Sequence, residues 1–538
     1  MESRIQVYIS LSQSGSQLML FKSATLSSII LLIILLAGCV SVLPSKESST
    51  QSAPVYPVEN TRLGRIFLGN PPNDDSLSGN IILRDGQDAL RERLHIIDLA
   101  DHSIDTQYFL WNNDESGRIL LKKIIDAANR GVQVRILIDG FSIADHIGMF
   151  VLADQHKNIS VSIYNPFIAR TGFGRVLDLI FDFDRLNQRM HNKTLTVDNV
   201  VTVTGGRNIG NAYFSIDKEV EFRDADVLSI GAVVPQVIQS FNDYWNESSA
   251  IPIRKLSLAR TYLKENDTTI EQLLTDDDTN LLNKPLLNDY RNIYQHLIKV
   301  NHSLVWSPTT FVADRPGKRR NQDIDTPKEV ALKLATLVNQ TEQEVMIESA
   351  YFVLNDLALK IFKQTQNRGV RIQVLTNSMA SNNLLPNHAS YARVRKEIIA
   401  NNIELYELKP SANDCTNFVR NKGRCTKNNN VVLHAKTAVF DDSTIYIGSM
   451  NFNLRSAFLN TESAIFIDSP ELNQQLRRQI KINMNLFSSW KPTILGDDLL
   501  WVTFDNGKIK QTRIEPSTTA MERIEVDLLT IFPETAYF

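Results

Sequence analysis

The sequence is short of the features that would place it quickly. Three cysteines in 538 residues exclude a disulfide-built scaffold, and 22 glycines with 18 prolines exclude a collagen-like or low-complexity chain. No charge of either sign dominates, because 57 basic residues against 60 acidic ones give a formal net charge of −3. A dedicated nucleic-acid binder carries a basic excess, so that class is disfavoured. Long hydrophobic runs are scarce too. The run at residues 29–38 (IILLIILLAG) falls well short of the ~20 residues that a helical membrane span needs. What remains is an ordinary globular composition, 43% apolar and 22% charged, in a chain long enough for several domains of roughly 150 residues each.

That apolar run has the length of a signal-peptide core and ends in Leu36-Ala37-Gly38-Cys39. This ending resembles the lipobox of bacterial lipoproteins. The resemblance implies cleavage before Cys39, lipidation of that cysteine, and a mature chain anchored in the bacterial envelope and facing the periplasm. Val40 follows with no aspartate to suggest retention at the inner membrane, so the outer membrane is favoured. Residues 1–38 are then a signal peptide. Residues 39–75 begin rich in Ser and Pro and are expected to be a flexible tether. Cys415 and Cys425 lie ten apart in a polar segment. In an oxidising compartment such a pair can close a disulfide loop, and neither spacing nor ligand set suggests zinc.

An internal repeat organises the rest. Residues 103–111 (SIDTQYFLW) and 345–354 (VMIESAYFVL) both read as strands with an acidic residue and a Tyr-Phe pair. Amphipathic helices follow, each closing on Asn-Arg-Gly-Val, with Gly131 and Gly369 placed to stop them. Strands VQVRILID and VRIQVLTN come next. A strand–helix–strand unit with so short a turn implies parallel pairing and helices on the sheet faces. Further on, residues 189–210 align with 432–453, each two apolar strands joined by a tight turn, Asp198-Asn199 or Asp441-Asp442. The expected architecture is α/β, with tandem domains over 76–252 and 300–510, a connector over 253–299 and a C-terminal tail over 511–538.

Both copies contain His-x-Lys-x-x-x-x-Asp: His191, Lys193, Asp198 and His434, Lys436, Asp441. Chance supplies on the order of 0.02 such matches in a chain with this histidine content. On a strand, His and Lys two apart share a face, which sets a nucleophile beside a cation. Asn208 and Asn451 each lie 17 residues after their histidine, and Glu219 and Glu462 each lie 28 after it. Gly206 stands where the second copy has Ser449.

With this constellation the chain resembles the phospholipase D superfamily, whose signature is the duplicated His-Lys-Asp motif. The stretches RMHNK…VTGGRNIG, the NRGV helices and LTNS…NHASYARVRKEI…ELYELKP are similar to bacterial cardiolipin synthases, and the likeness runs from about residue 76 to 510. The resemblance implies two phospholipase D-like α/β/α domains with mixed sheets, related by a pseudo-twofold axis with the active site at their interface. It also implies a covalent phosphatidyl-histidine, no metal or other cofactor, and phospholipid substrates at a bacterial membrane. Nucleic acid is not the expected partner, and the favoured state is a monomer that contains its own pseudo-dimer. Residue by residue, His191 and His434 divide nucleophile and acid between them. Lys193, Lys436, Asn208 and Asn451 hold the phosphate, with Ser449 an added hydroxyl. Glu219 and Glu462 accept from the far ring nitrogens and set the tautomers. Asp198 and Asp441 complete the motif and sit where they would pin the strand turn. The expected reaction makes cardiolipin from phosphatidylglycerol and a second phospholipid; a hydrolase would use the same residues with water as acceptor.

The lipobox yields a direct test. Cys39→Ser should leave an uncleaved precursor that takes up no lipid label, and normal processing of that variant would contradict the assignment.

Overall fold

The computed structural model of the protein describes residues 56–69, 72–143, 146–167, 183–274, 292–317, 326–382, 384–411, 430–505 and 507–531. Cys39, Cys415, Cys425 and the signal-peptide run lie outside them. Local sequence starts and stops the repeated units in matching ways. Asp114 accepts from the Gly117 N–H and opens the helix Glu115–Asn129, while Asn355 does the same for Ala358 and the helix Asp356–Asn367. Each helix gives way to a glycine with positive φ, Gly131 at 105° and Gly369 at 90°, a conformation that side chains with a Cβ avoid.

The first repeat supplies β1 (Leu77–Leu83), β2 (Ser103–Tyr108), β3 (Gln133–Asp139), β4 (Ile159–Tyr164), β5 (Thr194–Val197), β6 (Val201–Gly205), β7 (Val220–Arg223), β8 (Asp226–Gly231) and β9 (Ala250–Pro252). The second supplies β10 (Val305–Ala313), β11 (Glu344–Ser349), β12 (Arg371–Asn377), β13 (Glu404–Leu408), β14 (Asn430–Leu433), β15 (Lys436–Phe440), β16 (Thr444–Gly448), β17 (Ser463–Asp468) and β18 (Ser489–Leu495), extended by β19 (Asp498–Asp505) and β20 (Lys508–Thr512). The pairings run β9-β4-β3-β2-β5-β6-β8-β1 and then β10-β17-β16-β15-β11-β12-β13-β18-β19-β20. The second series repeats the first in reverse as far as β18. Among the described residues, the parallel pairings of this mixed sheet are β2–β3–β4 and β11–β12–β13.

The two series meet where β1 and β10 pair antiparallel, Ser78 opposite Ser307 and Gly79 opposite Trp306. A second junction is the parallel pairing of β7 with β14. Each repeat has its own apolar core, and a third cluster crosses between them, packing Val227, Val234 and Val237 with Phe311, Met346 and Ile465. The interface is therefore an interior surface.

Three expected boundaries change. Residues 56–69 are not tether: Thr61 caps the helix Arg62–Phe67, whose Leu63, Ile66 and Phe67 are buried in the first core because their spacing lines one helix face. The connector carries helices, among them Ser257–Glu265 and Ile293–His302, which bury Ala259 and Leu297. Residues 511–531 are not a free tail. The helix Ala520–Leu529 packs Val526 near Met379 and Ala389, and Glu515 accepts two bonds from the buried Arg395. Among the described residues no helix is long and apolar enough to cross a membrane.

Asp198 and Asp441 occupy equivalent places with positive φ, 51° and 45°. Asp198 accepts from the backbone N–H groups of Asp101, His102 and Ser103 at 2.7–3.0 Å. Asp441 accepts from Glu342, Gln343 and Glu344 at 2.7–3.1 Å. Each carboxylate thus fastens the start of β2 or β11 to the turn after β5 or β15. Asp441→Ala should cost about 2–4 kcal/mol in urea unfolding, with Asp441→Asn costing less because it keeps an acceptor and tolerates the left-handed backbone. An unchanged unfolding midpoint for Asp441→Ala would count against this role.

Candidate active site

His191 and His434 stand just ahead of β5 and β15, and each is fastened to the backbone of the other repeat. The His191 N–H donates to the Thr461 carbonyl, and Thr461 N–H donates back to Arg189. The His434 N–H donates to the Arg223 carbonyl, at the end of the β7–β14 ladder. The side chains cross in the same sense. His191 Nδ1 donates to Glu462 Oε2 at 2.7 Å, and His434 Nδ1 donates to Asp224 Oδ2 at 2.5 Å. Both carboxylates are buried. Each imidazole thus leaves its Nε2 free for chemistry, with the tautomer set from behind.

Glu219 takes no part in this arrangement. It is exposed, its N–H is held by Asp217, and its carbonyl accepts from Asn430. The sheet register explains the error. Gly205 faces Asp226 and Gly448 faces Ala464, so the residue two before Asp226, Asp224, corresponds to Glu462. The first repeat carries extra residues that form β7, so a count of 28 from His191 stops at Glu219, just ahead of β7 and short of Asp224. The usable signal was the acidic residue within two places of the start of each strand, in Arg-Asp-Ala-Asp-Val and Thr-Glu-Ser-Ala-Ile.

The glycine–serine difference has a steric cause. Ser449 Oγ donates to Glu462 Oε2 at 2.5 Å. A Cβ at Gly206 would lie 2.1 Å from Asp224 Oδ1, so glycine is what admits the shorter carboxylate. The backbone N–H of Ala225 bonds Asp224 at 2.8 Å in place of the missing hydroxyl.

Lys193 and Lys436 are buried, and each donates to the carbonyl of the histidine two residues before it. Burial pulls Lys193 down to about 7 and Lys436 down to about 8. Burial also pulls His191 down to about 4 against the pull of Glu462, and His434 to about 3 with the help of the Lys436 charge. Asp224 and Glu462 resist burial and stay below the usual carboxylate range, because the imidazoles and ammonium groups beside them favour the ionised form. The ligand-free site at neutral pH is two neutral imidazoles on two carboxylates, over lysines poised near their transition.

A cavity of ≈ 550 Å³ opens between the rings, with His191, His434, Asn208 and Asn451 in its wall. Asn208 is oriented by the Leu110 N–H and the Tyr213 hydroxyl, while Asn451 Oδ1 is buried without a protein donor among the described residues. Phe109 meets His191 edge-on at 5.0 Å, and Tyr213 meets His434 likewise at 5.0 Å. The sequence reading had not singled out Asp224, Tyr213, Phe109, Arg189 or Arg455, all of which bear on the cavity or its histidines. The wall also includes the half-exposed Phe141 and Leu384, so its rim is apolar.

Comparison with known proteins bears on this geometry. The family described as "Cardiolipin synthase, PLD-like domain" matches residues 94–245 and 334–483. Cardiolipin synthase C of Escherichia coli is 34% identical, covering 83% of this chain and 93% of its own length. An uncharacterized protein of Helicobacter pylori is 33% identical over 89% of this chain and 93% of its own. Among solved structures, phosphatidylserine synthase of Haemophilus influenzae shares the fold at a TM-score of 0.53 and 13% identity, over 86% of this chain and 96% of that one.

Two pH effects follow from the lowered values. The unfolded chain protonates its histidines near 6.5, so stability should fall as pH drops below that value and go on falling towards 4 and 3, where the native rings take protons. Dimethyl phosphate, an anion throughout the neutral range, favours every cationic form in the site when it binds. Calorimetry in buffers of different ionisation enthalpy should therefore show proton uptake on binding near pH 7.5. Proton release would contradict the electrostatics.

Proposed function

The chain belongs to the cardiolipin synthase family of phospholipase D-like proteins, and we propose that it moves a phosphatidyl group from one phospholipid to the hydroxyl of phosphatidylglycerol, forming cardiolipin. It is an enzyme of the phosphatidyltransferase type. The observation that carries the proposal is the facing of two imidazoles across one cavity, each backed by a carboxylate of the other repeat.

The chemistry is a double displacement at phosphorus. The anionic donor raises the proton affinity of the site, and His434 takes a proton on Nε2 while Asp224 stabilises the imidazolium. His191 Nε2 attacks phosphorus, the bond to the leaving oxygen breaks, and His434 passes its proton to that oxygen. The result is a phosphatidyl-histidine at His191 and a neutral His434. The acceptor hydroxyl then gives its proton to His434 as its oxygen attacks phosphorus, and the P–N bond to His191 breaks. Lys193, Lys436, Asn208 and Asn451 supply fixed donors for the phosphoryl oxygens. Glu462, held by Ser449, orients His191. The local sets are nearly equivalent, and the nucleophile is assigned to His191 by the usual order of the two motifs in the superfamily. The apolar rim at Phe141 and Leu384 suits a substrate presented by a lipid surface, and the lipobox at Cys39 supports an envelope location facing the periplasm.

Mass spectrometry of lipids after incubation with phosphatidylglycerol, with and without phosphatidylethanolamine, should show cardiolipin. Phosphatidic acid as the sole product would make the enzyme a hydrolase. His191→Ala and His434→Ala should each lower turnover by several orders of magnitude, with the double variant little worse, because the two rings act as a unit. With a donor whose leaving group is already acidic, His434→Ala should still accumulate the adduct on His191. An adduct on His434 would reverse the assignment, and activity surviving in both single variants would remove the mechanism.

A further inference from the structure

One guanidinium in the cavity wall makes no direct ion pair with any described residue, and Asp139 and Glu462 act on it only from farther off. Arg455 begins the π-helical turn Arg455–Leu459, a kind of turn that recurs at functional sites. Its Nη1 donates to the side-chain oxygen of Asn187 at 2.5 Å and its Nη2 to the Asn187 carbonyl at 3.0 Å. Among the described residues no carboxylate lies within 4.0 Å of it. Asp139 would be the natural partner but is already used: it binds Arg189 at 3.0 Å and the N–H groups of Phe141 and Met190 at 2.8 Å each. Glu462 is likewise engaged, by His191 and Ser449, so both carboxylates that act on Arg455 are held by other groups and its guanidinium is left without a carboxylate in contact. Burial, and then the neighbouring charge of Arg189, push Arg455 below the ordinary arginine value. In the same wall Asn460 Oδ1 is buried with no hydrogen-bond donor among the described residues.

An excess cation partly removed from water is costly until an anion joins it. The reacting phosphodiester is already provided for, since two lysines lie beneath the histidines that face it. The charge at Arg455 is surplus to that group. The transfer proposed above brings a second anion of the same kind, because the acceptor phosphatidylglycerol keeps its own phosphodiester while its terminal hydroxyl attacks. We infer that Arg455, with Arg189 behind it, binds the phosphodiester of the acceptor lipid and thereby selects an anionic alcohol over a neutral one. A planar guanidinium matches two phosphate oxygens at once, which a lysine cannot do. Asn460 Oδ1 is available to the free hydroxyl of the bridging glycerol. The cavity of ≈ 550 Å³ has room for both phosphates and the glycerol between them. The inference rests on the phosphatidyltransferase reading for the identity of its ligand, and on geometry alone for the existence of a second anion subsite.

Two measurements test these parts separately. With one donor lipid, kcat/KM is compared for phosphatidylglycerol and for glycerol as acceptors. Arg455→Gln should lower the ratio of the two by about ten-fold or more, through the KM for phosphatidylglycerol, with Arg455→Lys recovering part of it. A ratio within about two-fold of wild type, whether from no loss or from parallel loss on both acceptors, would overturn the assignment and leave Arg455 a structural tie to Asn187. Calorimetric titration with dimethyl phosphate should find two anions per chain in the wild type and one in Arg455→Gln. A single equivalent in both would overturn the subsite whatever reaction the enzyme catalyses. Two equivalents with no phosphatidyl transfer by the wild type would uphold the subsite while refuting the transferase reading.

Discussion

The crossed hydrogen bonds from His191 to Glu462 and from His434 to Asp224 are the constraint on which the rest of the structure depends. A buried carboxylate without its partner costs about 3–5 kcal/mol, so the two repeats have to meet in one register. The junctions supply it. β1 pairs with β10, β7 pairs with β14, and the backbone at Arg189 and His191 pairs with Thr461. A further, partly buried ion pair crosses in the same way, Arg84 holding both oxygens of the buried Glu348 at 2.6 and 3.1 Å. Neither repeat contains a complete site by itself.

The duplication also shows how two copies diverge around a shared geometry. Glu462 is longer and is steadied by the Ser449 hydroxyl, while Asp224 is shorter, draws on the Ala225 N–H and needs the space that Gly206 leaves. Both solutions put a carboxylate oxygen on Nδ1 of the opposite histidine. The compensation explains why the glycine–serine difference leaves the constellation intact.

Much of this was legible in the sequence because periodic patterns carry it. The parallel units followed from hydrophobic strands and helices ended by Gly131 and Gly369. The repeated His-x-Lys spacing marked matched places, although His191, Lys193 and His434 stand just ahead of β5 and β15 rather than on a strand face. What was not legible depends on sheet register. Counting from each histidine selected Glu219 and missed Asp224, because the inserted β7 pairs with the other repeat. The Tyr-Phe pairs misled in the same manner. Ile104 faces Val197 and Val345 faces Phe440, so Trp111 and Phe352 are equivalent, which the bridges Trp111–Ile209 and Phe352–Phe452 confirm. Tyr108-Phe109 and Tyr351-Phe352 therefore stand two places apart in the sheet. The capped helix Arg62–Phe67 was hidden behind a Ser- and Pro-rich neighbourhood that suggested a tether.

The central claim is that each histidine is oriented by the opposite repeat. Imidazole ¹⁵N resonances of histidine-labelled protein report the tautomer and hydrogen bonding of each ring. Glu462→Gln should perturb His191 and leave His434 as in the wild type, and Asp224→Asn should do the reverse. If Glu462→Gln instead disturbed His434 and spared His191, each repeat would be supporting its own histidine, and the account given for the interface would be wrong.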